Sequence, residues 1–387
     1  MSPTRRIGVL LAVMLFACTI AGEVAGVGPV SIEASLAGGN TRNLLKDWSS
    51  RETAYSTAGI SLGLHPLAMA EIELIGEYTT YGQLSSLSNF RYGAGFTLIP
   101  TGDSARTSLL LSGFYHDRDY RDQVTDVTST EFSSSEYEAR AGLAHTFTNS
   151  FQARTGLVYR ATAYGSDDVR DREALDWYTG VNVTLPGRNV LDVEAGLTHG
   201  NLDYVAQSTG GIRPDRAYEL LEQADLNTFY FSPRLSRPLG SRTGISLTVS
   251  HRQFVEQPDS AVVYGHSTGF LSPWVASYEG QAVAVNVKTF LIPRLITTLG
   301  AGYWSKDFLT TVETTDGFLG PQVSTLFAEE RSDEQRRVFL NLQWPITGRG
   351  GWFIEPSLYL GYVSNSSTID VYDYTDLSVS TGISVRL

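Results

Sequence analysis

Apolar and polar residues take turns along most of the chain. From Asn89 to Leu98 every even-numbered position is apolar, while the odd positions carry Asn, Arg, Gly and Thr. Leu175, Trp177, Val181, Val183 and Leu185 likewise stand against Asp176, Tyr178, Gly180, Asn182 and Thr184, and Trp352, Ile354, Leu358 and Leu360 against Phe353, Glu355, Ser357 and Tyr359. The alternation returns at the end of the chain, where Leu377, Val379, Ile383 and Val385 oppose Asp376, Ser378, Ser380 and Ser384. Neighbouring side chains of a strand point to opposite faces, so this period of two gives each segment one greasy and one polar side. About sixteen such segments can be marked, each near the ~9–11 residues that a tilted transmembrane strand requires. Their cores begin near Val30, Tyr55, Ala70, Ser88, Thr107, Ser135, Phe151, Leu175, Leu191, Phe229, Ile245, Gln281, Leu295, Val338, Trp352 and Leu377.

The connections come in two kinds that alternate. After even-numbered segments they are short and rich in chain breakers, as in His65-Pro66-Leu67, Thr148-Asn149-Ser150, Pro186-Gly187-Arg188-Asn189 and Ile292-Pro293-Arg294. After odd-numbered segments most are long and polar, notably Asn201 to Asn227, Val255 to Ser277 and Phe308 to Glu334. Short turns at one end and long loops at the other predict an all-β fold, an antiparallel up-and-down transmembrane β-barrel of about sixteen strands, with fourteen to eighteen admissible. Closure removes every sheet edge, which lipid demands because no water satisfies an open backbone there. Within the loop from Asn201, the stretch Ala217 to Gln223 reads as a short helix that folds inward or decorates the surface.

Arg5 and Arg6 followed by the apolar run Ile7 to Ala17 and then small residues form the pattern of a secretory signal peptide over residues 1–26, leaving 27–387 for the barrel. The single cysteine, Cys18, follows Leu15-Phe16-Ala17, a loose lipobox in which Phe16 is bulky. One cysteine makes no internal disulfide, no Cys/His cluster has zinc spacing, and neither metal nor cofactor is expected. A formal net charge of −12 argues against nucleic acid as a partner. The low charged fraction, 18%, follows if half of every strand faces lipid.

The chain resembles a bacterial outer-membrane β-barrel of the porin-like class, over nearly all of the mature sequence. The resemblance implies residence in a Gram-negative outer membrane, contact with lipid and lipopolysaccharide, and insertion by the barrel-assembly machinery. Such barrels usually end in an alternating strand with a terminal aromatic; here the alternation is kept but the last residue is Leu387. Architecture carries no ligand residues, so function is argued from the inward face.

By parity that face carries Glu71, Glu73, Arg91, Glu136, Glu138, Arg140, Arg154, Arg160, Asp176, Asp192, Glu194, Arg234, Arg252, Arg337 and Glu355, with the aromatics Tyr178, Tyr230, Trp304 and Tyr359. These are the candidate pore-lining residues. Charges at mid-depth in lipid would cost about 2–4 kcal/mol for each arginine, which favours placing them in the lumen. Two readings stay open. In one, acidic and basic strands brace the wall through ion pairs. In the other, an acidic sector (Glu71, Glu73, Glu136, Glu138, Asp192, Glu194) faces a basic one (Arg154, Arg160, Arg234, Arg252) and orients solutes in a transverse field. The inward rings suit stacking on sugars or simple space filling. Outward aromatics such as Tyr92, Tyr115, Tyr159 and Trp344 suit interfacial girdles. Acidic loop positions, including Asp117, Asp119, Asp122, Asp126, Glu329, Glu330, Asp333 and Glu334, suit a solvated surface or divalent bridges to lipopolysaccharide.

The sequence thus predicts a channel for small polar solutes or saccharides. A plugged surface barrel serving adhesion or envelope organisation, and a component of an exopolysaccharide export system, are the alternatives. No histidine spacing selects a serine or aspartate partner and no nucleophile elbow appears, so catalysis is not expected.

Overall fold

A computed structural model describes residues 30–42, 52–67, 69–83, 87–100, 106–120, 134–164, 172–205, 221–256, 263–265, 278–308, 311–313, 327–329, 331–348, 351–368 and 370–386. The expected leader lies outside these residues, as do Asp122, Asp126 and Glu330. The barrel strands are β1 (Val30–Thr41), β2 (Thr53–Leu67), β3 (Ala70–Tyr81), β4 (Asn89–Leu98), β5 (Thr107–Tyr120), β6 (Ser134–Thr148), β7 (Phe151–Tyr164) and β8 (Arg172–Leu185). They continue as β9 (Asn189–Val205), β10 (Leu221–Pro238), β11 (Thr243–Glu256), β12 (Tyr278–Ile292), β13 (Leu295–Phe308), β14 (Ser332–Gln343), β15 (Phe353–Ser367) and β16 (Tyr374–Arg386).

Each strand pairs antiparallel with the next, and β16 pairs with β1, which closes the ring. A two-residue strand, Ile346–Thr347, continues β14 along the start of β15. Pro345 interrupts the two because it has no N–H to give the ladder. Three short strands, Val263–Gly265, Thr311–Glu313 and Phe327–Glu329, form a separate small sheet.

The strand starts follow the period of two closely, with the largest differences at the loop end. Strand β10 begins at Leu221 rather than near Phe229, and β14 at Ser332 rather than near Val338. Beyond the lipid both faces of a strand are wet, so the alternation fades while the hydrogen-bond ladder continues. The predicted helix is overturned for Leu221 to Gln223, which pair with Val205, Tyr204 and Asp203 of β9; its earlier residues lie outside those described. An isolated helix of a few residues is marginal in water, and extension of an existing ladder outcompetes it.

Directly opposed residues share a face, and the register carries one face round the whole ring. It runs through Arg91↔Arg118, His116↔Glu136, Glu138↔Arg160, Tyr178↔Gly196↔Tyr230↔Arg252↔Gly280↔Lys306↔Asp333, and finally Arg386↔Glu33. The buried polar residues Thr79, Asp176, Thr228, Asp333 and Asp376 lie on this face, as expected of the crowded, concave side. The other face holds the exposed apolar side chains, among them Ile60, Leu74, Phe96, Leu143, Leu157, Trp177, Leu197, Leu247, Leu299, Val338 and Ile383. A continuous apolar surface of this kind is a lipid belt rather than a soluble exterior.

Aromatics mark its two edges. At the loop side, Tyr115 and Tyr137 have ring centroids 5.1 Å apart, and at the turn side Phe147 and Phe151 are 5.3 Å apart. Tyr137 and Phe147 are ten positions apart on β6 (147 − 137). At ~3.3 Å per residue and a tilt of ~40° this separates the girdles by about 25 Å, the height of an outer-membrane apolar band.

Candidate functional site: the inner wall

The register places every candidate residue on the concave face. Glu71 and Glu73 sit on β3, Arg91 on β4, Glu136, Glu138 and Arg140 on β6, and Arg154 and Arg160 on β7. Asp176 and Tyr178 follow on β8, Asp192 and Glu194 on β9, Tyr230 and Arg234 on β10, Arg252 on β11, Trp304 on β13, Arg337 on β14, and Glu355 and Tyr359 on β15.

The charges of β6 to β10 are brought together. Arg154 donates from Nη1 to Asp192 Oδ2 (2.7 Å) and from Nη2 to Asp192 Oδ1 (2.8 Å) and Glu194 Oε2 (3.0 Å). Asn182 Nδ2 donates to Asp192 (3.1 Å) and the Tyr230 hydroxyl to Glu194 Oε1 (3.1 Å). Arg160 donates from Nε to Glu138 Oε2 (2.9 Å) and from Nη1 to Asp176, while Arg140 lies 3.5 Å from Glu138 Oε1. Arg154 reaches a strand two places away because Gly180 leaves room on β8: a Cβ there would lie 3.1 Å from the guanidinium. These arginines are therefore counter-ions of the acidic sector beside them, and the basic sector expected from the sequence loses Arg154 and Arg160.

Elsewhere the described residues of the wall form fewer ion pairs. Glu73 and Glu77 of β3 make no ion pair among the described residues, and Glu71 lies 3.5 Å from His65 Nε2. Arg91 meets a second basic group, with Nη2 2.8 Å from His116 Nδ1. On the inner face of β10 to β14 stand Arg234, Arg252, Lys288, Lys306 and Arg337. Arg252 and Lys306 lie 5.1 and 5.2 Å from the centre of the Tyr278 ring, and Lys306 donates to Gln335 (3.2 Å). Strands β3 and β11 are eight places apart in a ring of sixteen, so the carboxylates of β3 face this basic wall across the barrel. Lys288 and Lys306 were not among the sequence candidates, although the parity of β12 and β13 holds the signal.

The inward rings lie against glycines. A Cβ added to Gly156 would lie 2.6 Å from Tyr178 Oη, on Gly196 2.5 Å from the Tyr230 ring, on Gly95 2.6 Å from Phe114, and on Gly302 2.4 Å from Trp304. Glycine seats the rings flat on the wall, where a branched neighbour would push them into the lumen.

The acidic outer positions are corrected in part. Asp117 and Asp119 belong to β5, and Asp117 accepts hydrogen bonds from the Tyr92 hydroxyl and Ser135 Oγ (2.9 Å for the latter). Asp333, read as a loop carboxylate, is buried in β14. Arg331 holds it from Nε (3.0 Å) and Nη2 (2.6 Å), with Arg331 lodged between Phe308 (4.1 Å) and Tyr372 (3.4 Å). Asn365 Nδ2 bridges Asp333 (3.1 Å) and the Tyr372 carbonyl (2.9 Å), fastening the β15–β16 connection to the rim. Among the described residues no group of three His, Cys, Asp or Glu side chains is placed to hold a metal ion.

The fold defines a class: a closed, antiparallel, sixteen-strand β-barrel with an apolar outer belt. Among solved structures it is similar to a protein described as a bacterial polysaccharide outer membrane secretin, at 10% identity and TM-score 0.50, covering 92% of this chain and 98% of that one. It is also similar to OccAB1 of Acinetobacter baumannii (11% identity, TM-score 0.48, 92% and 96% covered) and to Pseudomonas aeruginosa OpdK, solved with vanillate (10%, 0.48, 92% and 98%). At such identities the likeness is one of fold. No protein-family model and no curated protein matches the chain in sequence.

Proposed function

We propose that the chain is an outer-membrane channel passing small polar solutes or saccharides, with the candidate residues lining its pore. One observation carries this reading: a ring of sixteen strands, wide enough for an aqueous lumen, turns its charged face inward and lays its inward rings against glycine. Lipid and lipopolysaccharide meet the outer belt, and the barrel-assembly machinery inserts it. A second reading, a barrel in an exopolysaccharide export system, is favoured by the flat inner rings and by the fold shared with a polysaccharide secretin. Conductance of the purified protein in planar bilayers tests the channel. Discrete open steps are expected; a bilayer that stays closed at every voltage would point to a plugged surface barrel.

A further inference from the structure

On the inner wall of β13 to β15 lies a group of side chains that the ion-pair network does not use. Arg337 donates from Nη2 to the Tyr359 hydroxyl (2.9 Å), and its guanidinium lies 5.2 Å from the centre of the Phe339 ring. No carboxylate among the described residues pairs with it. Phe339 and Tyr359 are stacked, with centroids 6.1 Å apart and planes 24° from parallel. Both rings are pressed against the wall: a Cβ on Gly300 would lie 2.2 Å from Phe339, and one on Gly361 2.5 Å from Tyr359 Oη. Trp304 covers Gly302, which is the register partner of Arg337. Three flat rings and one guanidinium without a counter-ion thus share a single patch.

We propose that this patch is a binding subsite for acidic saccharides, a deeper statement of the channel reading on which it rests. A sugar ring offers an apolar C–H face that stacks on an aromatic plane, while its hydroxyl edge stays wet. A carboxylate on that sugar matches the planar fork of an arginine, which binds it through two parallel hydrogen bonds. A neutral sugar uses the rings and leaves Arg337 with Tyr359 alone; a small inorganic anion uses Arg337 and leaves the rings bare. Only a ring-bearing carboxylate uses both. The wall on one side agrees in sign, since Lys306, Lys288 and Arg252 lie inward on β13, β12 and β11. Glu355, the inward carboxylate of β15, already accepts a hydrogen bond from Gln343 Nε2 (3.1 Å).

Titration calorimetry on the full chain in detergent tests the subsite with trigalacturonate, maltotriose and benzoate as probes. Trigalacturonate should bind at least about tenfold more tightly than maltotriose, the scale of one hydrogen bond to a charged group. Arg337→Gln should remove that preference, while Phe339→Ala should weaken both sugars. An unfolding curve for each variant separates loss of binding from loss of fold. Equal affinity for the two sugars, no binding of trigalacturonate, indifference to Arg337→Gln, or benzoate bound as tightly as trigalacturonate would each overturn the proposal. Conductance is measured on the same preparation. An open channel that ignores trigalacturonate sinks the subsite alone, and binding by a barrel that never conducts sinks the channel alone.

Discussion

Glycine and arginine decide the character of the inner wall residue by residue. At Gly302 the three atoms nearest to an added Cβ all belong to the far edge of the Trp304 ring, at 2.4 to 3.2 Å. Gly302→Ala should therefore swing the ring off the wall without disturbing the ladder, and single-channel conductance should fall while the unfolding midpoint changes little. Arg154 poses the converse case, because it bridges two carboxylates at once. Arg154→Gln leaves Asp192 and Glu194 adjacent and should lower stability by about 1–3 kcal/mol in denaturant titration. Adding Asp192→Asn should recover part of that loss, since residues of one network do not contribute additively. The cation itself is plain in the sequence, but its partners are not. They depend on a side chain crossing β8 over Gly180, and parity says only which face a residue takes.

Among the elements, the turns are short and carry local backbone cost. Arg188 and Arg294 adopt φ of 61° and 72°, a region in which a side chain crowds the backbone. Arg294→Gly should raise the unfolding midpoint, by an amount worth about 1 kcal/mol, because glycine enters this region freely. The strands between turns were legible because lipid on one side and water on the other impose a period of two on every crossing segment. Val30, Ala70, Thr107, Phe151 and Leu295 are each found as the first residue of a strand. The upper part of β10 escaped because both of its faces are outside the lipid. Asp333 escaped as well, since its burial depends on Arg331, just ahead of the strand, and on Asn365 of β15, and neither belongs to the alternation of β14.

For the whole molecule, charge is divided by sector. Strands β6 to β9 hold two groups of ion pairs, β3 keeps carboxylates that form none among the described residues, and β10 to β14 present the basic wall. Ion selectivity should follow the last of these. Lys288→Glu should shift reversal potentials toward cations. Arg154→Glu, an equal change of charge, should shift them less, because it adds a carboxylate to a sector that is already acidic. A larger shift from Arg154→Glu would refute the division. The residues of the inward face were readable from parity alone, but this grouping required knowing which strand stands across from which.

The seam between β1 and β16 sets the order of events in making the barrel. Arg386 reaches Glu33 through Nε (3.0 Å) and Nη2 (2.6 Å), a contact between residues 353 positions apart. The strand that closes the ring is the last of the sixteen to be synthesised, so neither edge of a half-made sheet has a partner until translation of the ring is finished. Contacts of such sequence separation form slowly, and an open edge left waiting in water invites pairing with other chains. The time between release of β16 and closure is therefore the interval in which an unfinished barrel depends on being held by something else.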